Sequence, residues 1–398
     1  MTLPVVPDTV AASAAAPTNV PLMTPSYPML SWAENGQTHS ARWRSESAMP
    51  APKRVVIADD STSADVAWRL ACEGTALLWR GDFQNARQLL QAIARRIDRN
   101  KPKAASSPRD AFNLVRQAQS QRSRTLAMLL LPFELDHQLN LRRAPDVRHA
   151  CEEAYGHASE PYIAPLRELL GLIGAHEWRK NGVTVDALSA KIHPHYGVFA
   201  PVRGEYVGLV KSTPLPPTTI AFDIGTGTGV LAAVLAQRGV PRVIGTDQDP
   251  RALACARENI ERLGLTQQVD IIEADLFPAG RADLIICNPP WLPARPSSPI
   301  EYAVYDPDSR MLKGFLSGLR AHLNPAGEAW LILSDLAEHL GLRTRESLLA
   351  LFDAGRLQVL GRTDVRPTHP RAQDRTDPLF AARSAEVTSL WRLAPRDD

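Results

Sequence analysis

The spacing of apolar positions changes character twice along the chain. Residues 1–60 are rich in Pro, Ser, Thr and Ala and hold no sustained period, which predicts a disordered tail. From Ala64 to about Arg99, Trp68, Leu77, Leu78, Phe83, Leu89, Leu90, Ile93 and Ile97 recur at helical spacing, with a break near Gly81. A second helix is predicted from about Asp110 to Leu131, where Pro132 stops it. A third helical region covers roughly Asp146 to Lys180. Residues 61–181 therefore read as a small helical domain.

Past Gly182 the pattern becomes an alternation. Val183–Val185 and Lys191–Phe199 read as short joining strands. Strands follow at Thr219–Asp223, Arg242–Asp247, Val269–Asp275, Ala282–Asn288 and Glu328–Ser334, with final strands near Leu357–Thr363 and Glu386–Leu393. Helices are predicted at Val230–Arg238, after Asp249-Pro250, at about Ser309–Leu323 and at about Thr344–Ala354. Asp249 is a cap with Pro250 in the first helical position, and Gly239 and Gly264 are stops. Repeated β-α-β units predict an α/β fold over residues 182–398, a largely parallel, doubly wound sheet with helices on both faces.

Composition narrows this picture only a little. The 398 residues carry a formal net charge of +2 and four cysteines, none in a C-x-x-C pair. That usage fits a reducing, cytoplasmic setting and offers no metal site. The longest apolar stretch, near Leu126–Phe133, is far short of the ~20 residues of a membrane span. No Lys or Arg precedes Arg42, so a signal peptide's charged start is missing. Charge clusters locally: Arg95, Arg96, Arg99, Lys101, Lys103, Arg109, Arg116 and Arg122 stand against Asp98 and Asp110. Such a stretch is either a solvated helix face or a track for the phosphates of a nucleic acid. The Pro/Arg-rich loop Arg366–Arg383 is a further candidate for substrate contact.

Four features carry chemistry. Asp223-Ile224-Gly225-Thr226-Gly227-Thr228-Gly229 is a glycine loop between a strand and a helix, where backbone can approach a ligand closely. Its register Gly227, Gly229, Ala232 also fits the dinucleotide fingerprint of NAD enzymes. Asp247, about 20 residues on at the tip of the next strand, can hold a ribose diol of either kind of cofactor. Asp275, after the third strand, can accept from an adenine amino group. Finally, the buried run Ile285-Ile286-Cys287 ends in Asn288-Pro289-Pro290-Trp291. Two prolines end the strand. The carbonyls of Asn288 and Pro289 and the Asn288 side chain can accept both hydrogens of an –NH2 group, while Trp291 offers a flat stacking face. His193 and His195 flank a proline and read as loop polarity.

From about Val198 to Leu393 these features resemble the class I S-adenosylmethionine-dependent methyltransferases, in the branch with an Asn-Pro-Pro-aromatic motif. That branch includes glutamine N5-methyltransferases of release factors and base N-methyltransferases of DNA and RNA. The resemblance implies that Asp223, Gly225, Gly227 and Gly229 hold the methionyl end of S-adenosylmethionine. It gives the ribose to Asp247, the adenine to Asp275, and the target nitrogen to Asn288, Pro289, Pro290 and Trp291. Tyr196–Glu205 looks like the segment that closes over the cofactor in the glutamine enzymes, without their Arg-Pro-Glu-Thr-Glu core. The implied partner is a macromolecule, a protein glutamine or a nucleic-acid base. The competing readings are an NAD-dependent oxidoreductase and a non-catalytic cofactor-binding protein.

Overall fold

Two sheets, each flanked by helices, organise the protein. A computed structural model describes residues 27–99, 105–202, 204–296, 299–368 and 372–396. Lys101, Lys103 and Arg203 lie outside the described residues, as do 369–371 of the Pro/Arg-rich loop.

The first sheet departs from the helical domain and disordered tail that the pattern predicts. Its strands are β1 (Met29–Glu34), β2 (Gln37–Trp43), β3 (Arg54–Ala58), β4 (Thr75–Trp79), β5 (Leu129–Phe133) and β6 (Tyr162–Pro165). They lie in the order β1-β2-β6-β5-β4-β3. β3, β4 and β5 run parallel, and β6 turns antiparallel to β5. Residues 29–58 thus form three strands of a sheet. β1 and β2 close through Asn35-Gly36, both at positive φ (51° and 76°), the backbone of a tight hairpin turn. β4 is Thr-Ala-Leu-Leu-Trp with every residue buried. A strand covered on both faces is apolar throughout, so beside the helices Ala64–Cys72 and Phe83–Asp98 its leucines fall into a helical count. Pro132 sits inside β5, past Leu129 and Leu130 where β4 pairs, so its missing N–H costs no bond on that side.

A short hairpin of β7 (Val183–Val185) and β8 (Ala190–Ile192) joins the two sheets. The second sheet holds β9 (Ile220–Ile224), β10 (Arg242–Asp247), β11 (Val269–Glu273), β12 (Ala282–Cys287), β13 (Leu323–Ser334), β14 (Leu357–Val365) and β15 (Thr388–Pro395). Their order is β11-β10-β9-β12-β13-β15-β14. All pairings are parallel except those of β15, which runs antiparallel to β13 and β14. This is the doubly wound α/β sheet expected from the alternation. The Pro250–Arg262 helix begins as read, with the Asp249 side chain accepting from Arg251 N at 2.8 Å. The chain winds outward from β9 to β11, then returns to the other side of β9 as β12. A crevice therefore opens beyond the carboxyl ends of β9 and β12, where such sheets bind ligands.

The two halves are joined by polar clasps. Arg251 reaches Glu46 at 2.6 Å, and Glu258 holds both Arg179 and His195 at 2.7 Å. Among the described residues no helix is long and apolar enough to cross a membrane.

Candidate functional site

The loop after β9 is held by its own aspartate. Asp223 is 1% exposed. Its Oδ2 accepts from Thr226 Oγ1 at 2.6 Å and from Ala232 N at 3.0 Å. Burial pushes this carboxyl up to about 6, against those two hydrogen bonds. Asp223 lies beneath the loop and does not line the cavity above it. Gly229 (φ 80°) starts the Val230–Gln237 helix, and a Cβ there would meet Ala256 at 3.3 Å. It too serves the loop's shape. Gly225 and Gly227 do line the cavity, and Gly227 needs its positive φ of 56°.

Asp247 lies at the end of β10 and on the cavity wall. It accepts from Gly227 N and from Asp249 N, each at 3.0 Å. Burial raises its carboxyl above the ordinary range, opposed by those N–H groups. Asp275 is placed differently. Its side chain is 63% exposed, hydrogen-bonded to Gln248 and 3.4 Å from Arg310, and it does not line the cavity.

The opposite wall is Asn288-Pro289-Pro290-Trp291, directly after β12, so the structure brings this segment and the glycine loop onto one cavity of about 520 Å³. Trp291 packs against the apolar cores on both faces of the sheet. Its Nε1 donates to Asn288 Oδ1 at 2.9 Å. The indole therefore orients the carboxamide as well as offering a face. A carboxamide oxygen has two lone pairs, so one remains to accept from a further N–H donor.

Several cavity residues carried no signal for this role in the sequence. Leu292 N donates to Val304 O, and Asp306 N donates back to Leu292 O, at 3.3 and 2.9 Å. These bonds pair Leu292 with Val304–Asp306. Asp306, 5% exposed, accepts from Met311 N and Leu312 N at 3.0 and 3.1 Å, which ties that segment to the Arg310–His322 helix. The far wall belongs to the N-terminal half. Phe112, Val115 and Arg116 of the Pro108–Leu126 helix line the cavity. Arg116 stacks on Tyr305 with 4.3 Å to the ring centroid and donates to Arg295 O at 2.5 Å. Arg116 did stand out, but only as one charge of a basic run.

Of the six described residues of that run, Arg116 and three others are spent within the protein. Arg96 pairs with Asp65 at 2.7 Å and Arg122 with Asp98 at 2.8 Å, while Arg109 donates to Gly341 O at 2.9 Å. In the Pro/Arg-rich loop, Arg383 reaches the cavity wall and pairs with Asp377 at 2.9 Å. Gly197 and Val198 of the segment before β9 also line the cavity. Glu205, at the end of that segment, keeps a buried Oε1 with no hydrogen-bond partner among the described residues.

Strand order and site together define a Rossmann-like α/β cofactor domain. Residues 191–353 match the family model described as methyltransferase small domain. A release factor glutamine methyltransferase of Cereibacter sphaeroides is 34% identical over 139 residues, 31% of this chain and 50% of that protein. A tRNA1(Val) (adenine(37)-N6)-methyltransferase of Shewanella loihica is 28% identical over 213 residues, 50% of this chain and 85% of that protein. The chain thus spans about half the length of the release factor enzyme. A solved methyltransferase from Pyrococcus furiosus aligns with 58% of this chain and 99% of its own, at 18% identity and a TM-score of 0.38.

Proposed function

We propose that this protein is an S-adenosylmethionine-dependent N-methyltransferase acting on a planar nitrogen of a macromolecule. One observation carries the reading: the glycine loop and the Asn288–Trp291 segment face each other across a single cavity at the switch point of the sheet.

The acids on the glycine-loop side of that cavity suit a cationic cofactor, with Arg116 and Arg383 elsewhere on its lining. Asp247 and Asp249 line it, and Asp223 lies beneath its floor. The Ala232 N–H, in the first turn of the helix, is already taken by Asp223. A dinucleotide's pyrophosphate relies on free N–H groups at that helix start. Here it meets a carboxylate instead, which weighs against the NAD reading. Asp247 is suited to a ribose diol and Asp223 to holding the loop in shape. Asp275, hydrogen-bonded to Gln248 and off the cavity lining, is assigned to the adenine at the rim.

When bound, S-adenosylmethionine supplies an activated methyl group. The protein then has to align the acceptor. The Asn288 side-chain oxygen and the Pro289 carbonyl accept the two hydrogens of the amino group, and Trp291 stacks beside it. These acceptors favour the positive charge that develops on the nitrogen in the transition state. The nitrogen becomes acidic only as the methyl transfers, so no base is needed beforehand. The thiols of Cys72, Cys151, Cys255 and Cys287 are all free, in keeping with a cytoplasmic enzyme.

Calorimetry with S-adenosylmethionine, S-adenosylhomocysteine and NADH tests the cofactor. The first two are expected to bind. Tight NADH binding with no response to the methyl donor would overturn the proposal.

A further inference from the structure

The Leu166–Asn181 helix carries glycine at two interior positions, Gly171 and Gly174. Interior glycine weakens a helix relative to alanine. Neither residue takes a positive φ, and nothing lies within 4 Å of where a Cβ would stand. No turn and no close neighbour accounts for them. Their bare face is instead the floor of a second cavity, about 670 Å³.

The walls of this groove are apolar and open to solvent. Trp178 is 50% exposed, Phe199 42% and Val202 56%. The groove leads directly to the methyl-transfer cavity: Gly197, Val198, Phe199 and Ala303 line both. Its polar lining is sparse. Glu168 is filled by Ser45 Oγ at 3.1 Å, Glu46 N at 2.9 Å and the Tyr155 hydroxyl. His195 is tied to Glu258. Arg167 is exposed on the groove wall and closes no ion pair among the described residues.

We propose that this groove seats an apolar polypeptide segment flanking the methyl-accepting side chain, so that the macromolecular substrate is a protein. The proposal rests on the methyltransferase reading above. A nucleic-acid strand would need several cations along the groove to offset its phosphates. Among the described residues the groove lining provides Arg167 as its one arginine or lysine, and nearby Arg122 is paired with its own Asp98. A peptide suits what is present. The glycine floor lets a foreign backbone approach closely, the aromatic walls bury its apolar side chains, and Arg167 meets an acidic residue of the segment.

The test fills the floor. Gly171→Leu/Gly174→Leu in the full chain places side chains into open space and favours the helix. The protein should keep its melting temperature and bind S-adenosylmethionine within about twofold of wild type. Trp178→Ala is the companion variant. Each is incubated with tritiated S-adenosylmethionine and a lysate lacking the enzyme, then divided between protease and ribonuclease. Wild-type label is expected to be protease-sensitive. The initial rate should fall about tenfold or more in both variants, the equivalent of about 1.4 kcal/mol of lost binding. Wild-type rates in the variants would overturn the groove and leave the methyltransferase reading standing. Ribonuclease-sensitive label would overturn the polypeptide occupant. No labelled macromolecule from the wild-type enzyme would overturn this proposal. If the wild-type enzyme also gave no heat with the cofactor, the reading beneath it would fall too.

Discussion

Asp223→Asn separates a carboxylate that shapes the loop from one that merely occupies it. Both donors, Thr226 Oγ1 and Ala232 N, converge on the same oxygen, Oδ2. An asparagine can turn its own oxygen to that position, so the variant keeps both hydrogen bonds and loses only the charge. In the wild type, burial raises this carboxyl from an ordinary 3.8 to about 6. The folded state therefore holds the proton more tightly than the unfolded chain. The cost of ionising Asp223 is absent below about pH 4, grows as the pH rises towards 6, and is complete above it. At about 1.4 kcal/mol per pH unit, the displacement amounts to about 3 kcal/mol. Urea unfolding of both proteins from pH 4 to pH 7.5 measures this, because titrating groups that do not interact with Asp223 cancel in the difference; Asp247, which repels it, adds a smaller contribution of the same sign. Wild type should lose about 3 kcal/mol relative to Asp223→Asn across that range. A difference that does not change with pH would refute the assignment of Asp223 as a buried charge under the loop.

Trp291→Phe keeps a flat ring but frees the Asn288 oxygen from the 2.9 Å indole bond. Single-turnover transfer should slow about three- to tenfold, the worth of one such bond, and an unchanged rate would reduce the indole to a stacking face. Asp247→Ala should weaken S-adenosylmethionine binding about 10- to 100-fold, as expected for hydrogen bonds to a charged group. Asp275→Ala, at an exposed position off the cavity, should change it by much less, and calorimetry on the pair ranks them. Phe112, 3% exposed, packs in one cluster with Leu292, Leu336, Leu340 and Leu379. Phe112→Ala should cost about 3–5 kcal/mol in urea unfolding and raise the KM for the acceptor, whereas a loss below 1 kcal/mol would detach the Pro108–Leu126 helix from the site.

The second sheet was legible because its signals agree across levels. Strand, capped helix and glycine stop recur in register, and the Asp249-Pro250 start falls where it was read. The first sheet was not, because buried parallel strands and buried helix faces both present runs of leucine. Length should have decided: five residues at Thr75–Trp79, bounded by Gly74 and Gly81, suit a strand better than a helix turn. Asn35-Gly36 was also a usable hairpin signal within what looked like a featureless tail. At the site, Asn288–Trp291 and the glycine loop were visible because each is local. That Asp223 faces inward and Asp275 faces solvent depends on packing, which no motif encodes. The wall of Phe112 and Arg116 comes from chain more than 100 residues before the glycine loop, so only the folded arrangement places it there.

The central claim concerns Asn288, and Asn288→Ala tests it most directly. On the proposed reading the variant removes an acceptor for the target nitrogen, and it leaves the Asp247 side of the cavity untouched. Cofactor affinity by calorimetry and single-turnover methyl transfer are measured side by side. The account predicts a rate loss of roughly 10²–10³-fold with cofactor binding within about twofold. Methyl transfer at the wild-type rate would contradict it, and Asn288-Pro289-Pro290-Trp291 would then be only the end of a strand.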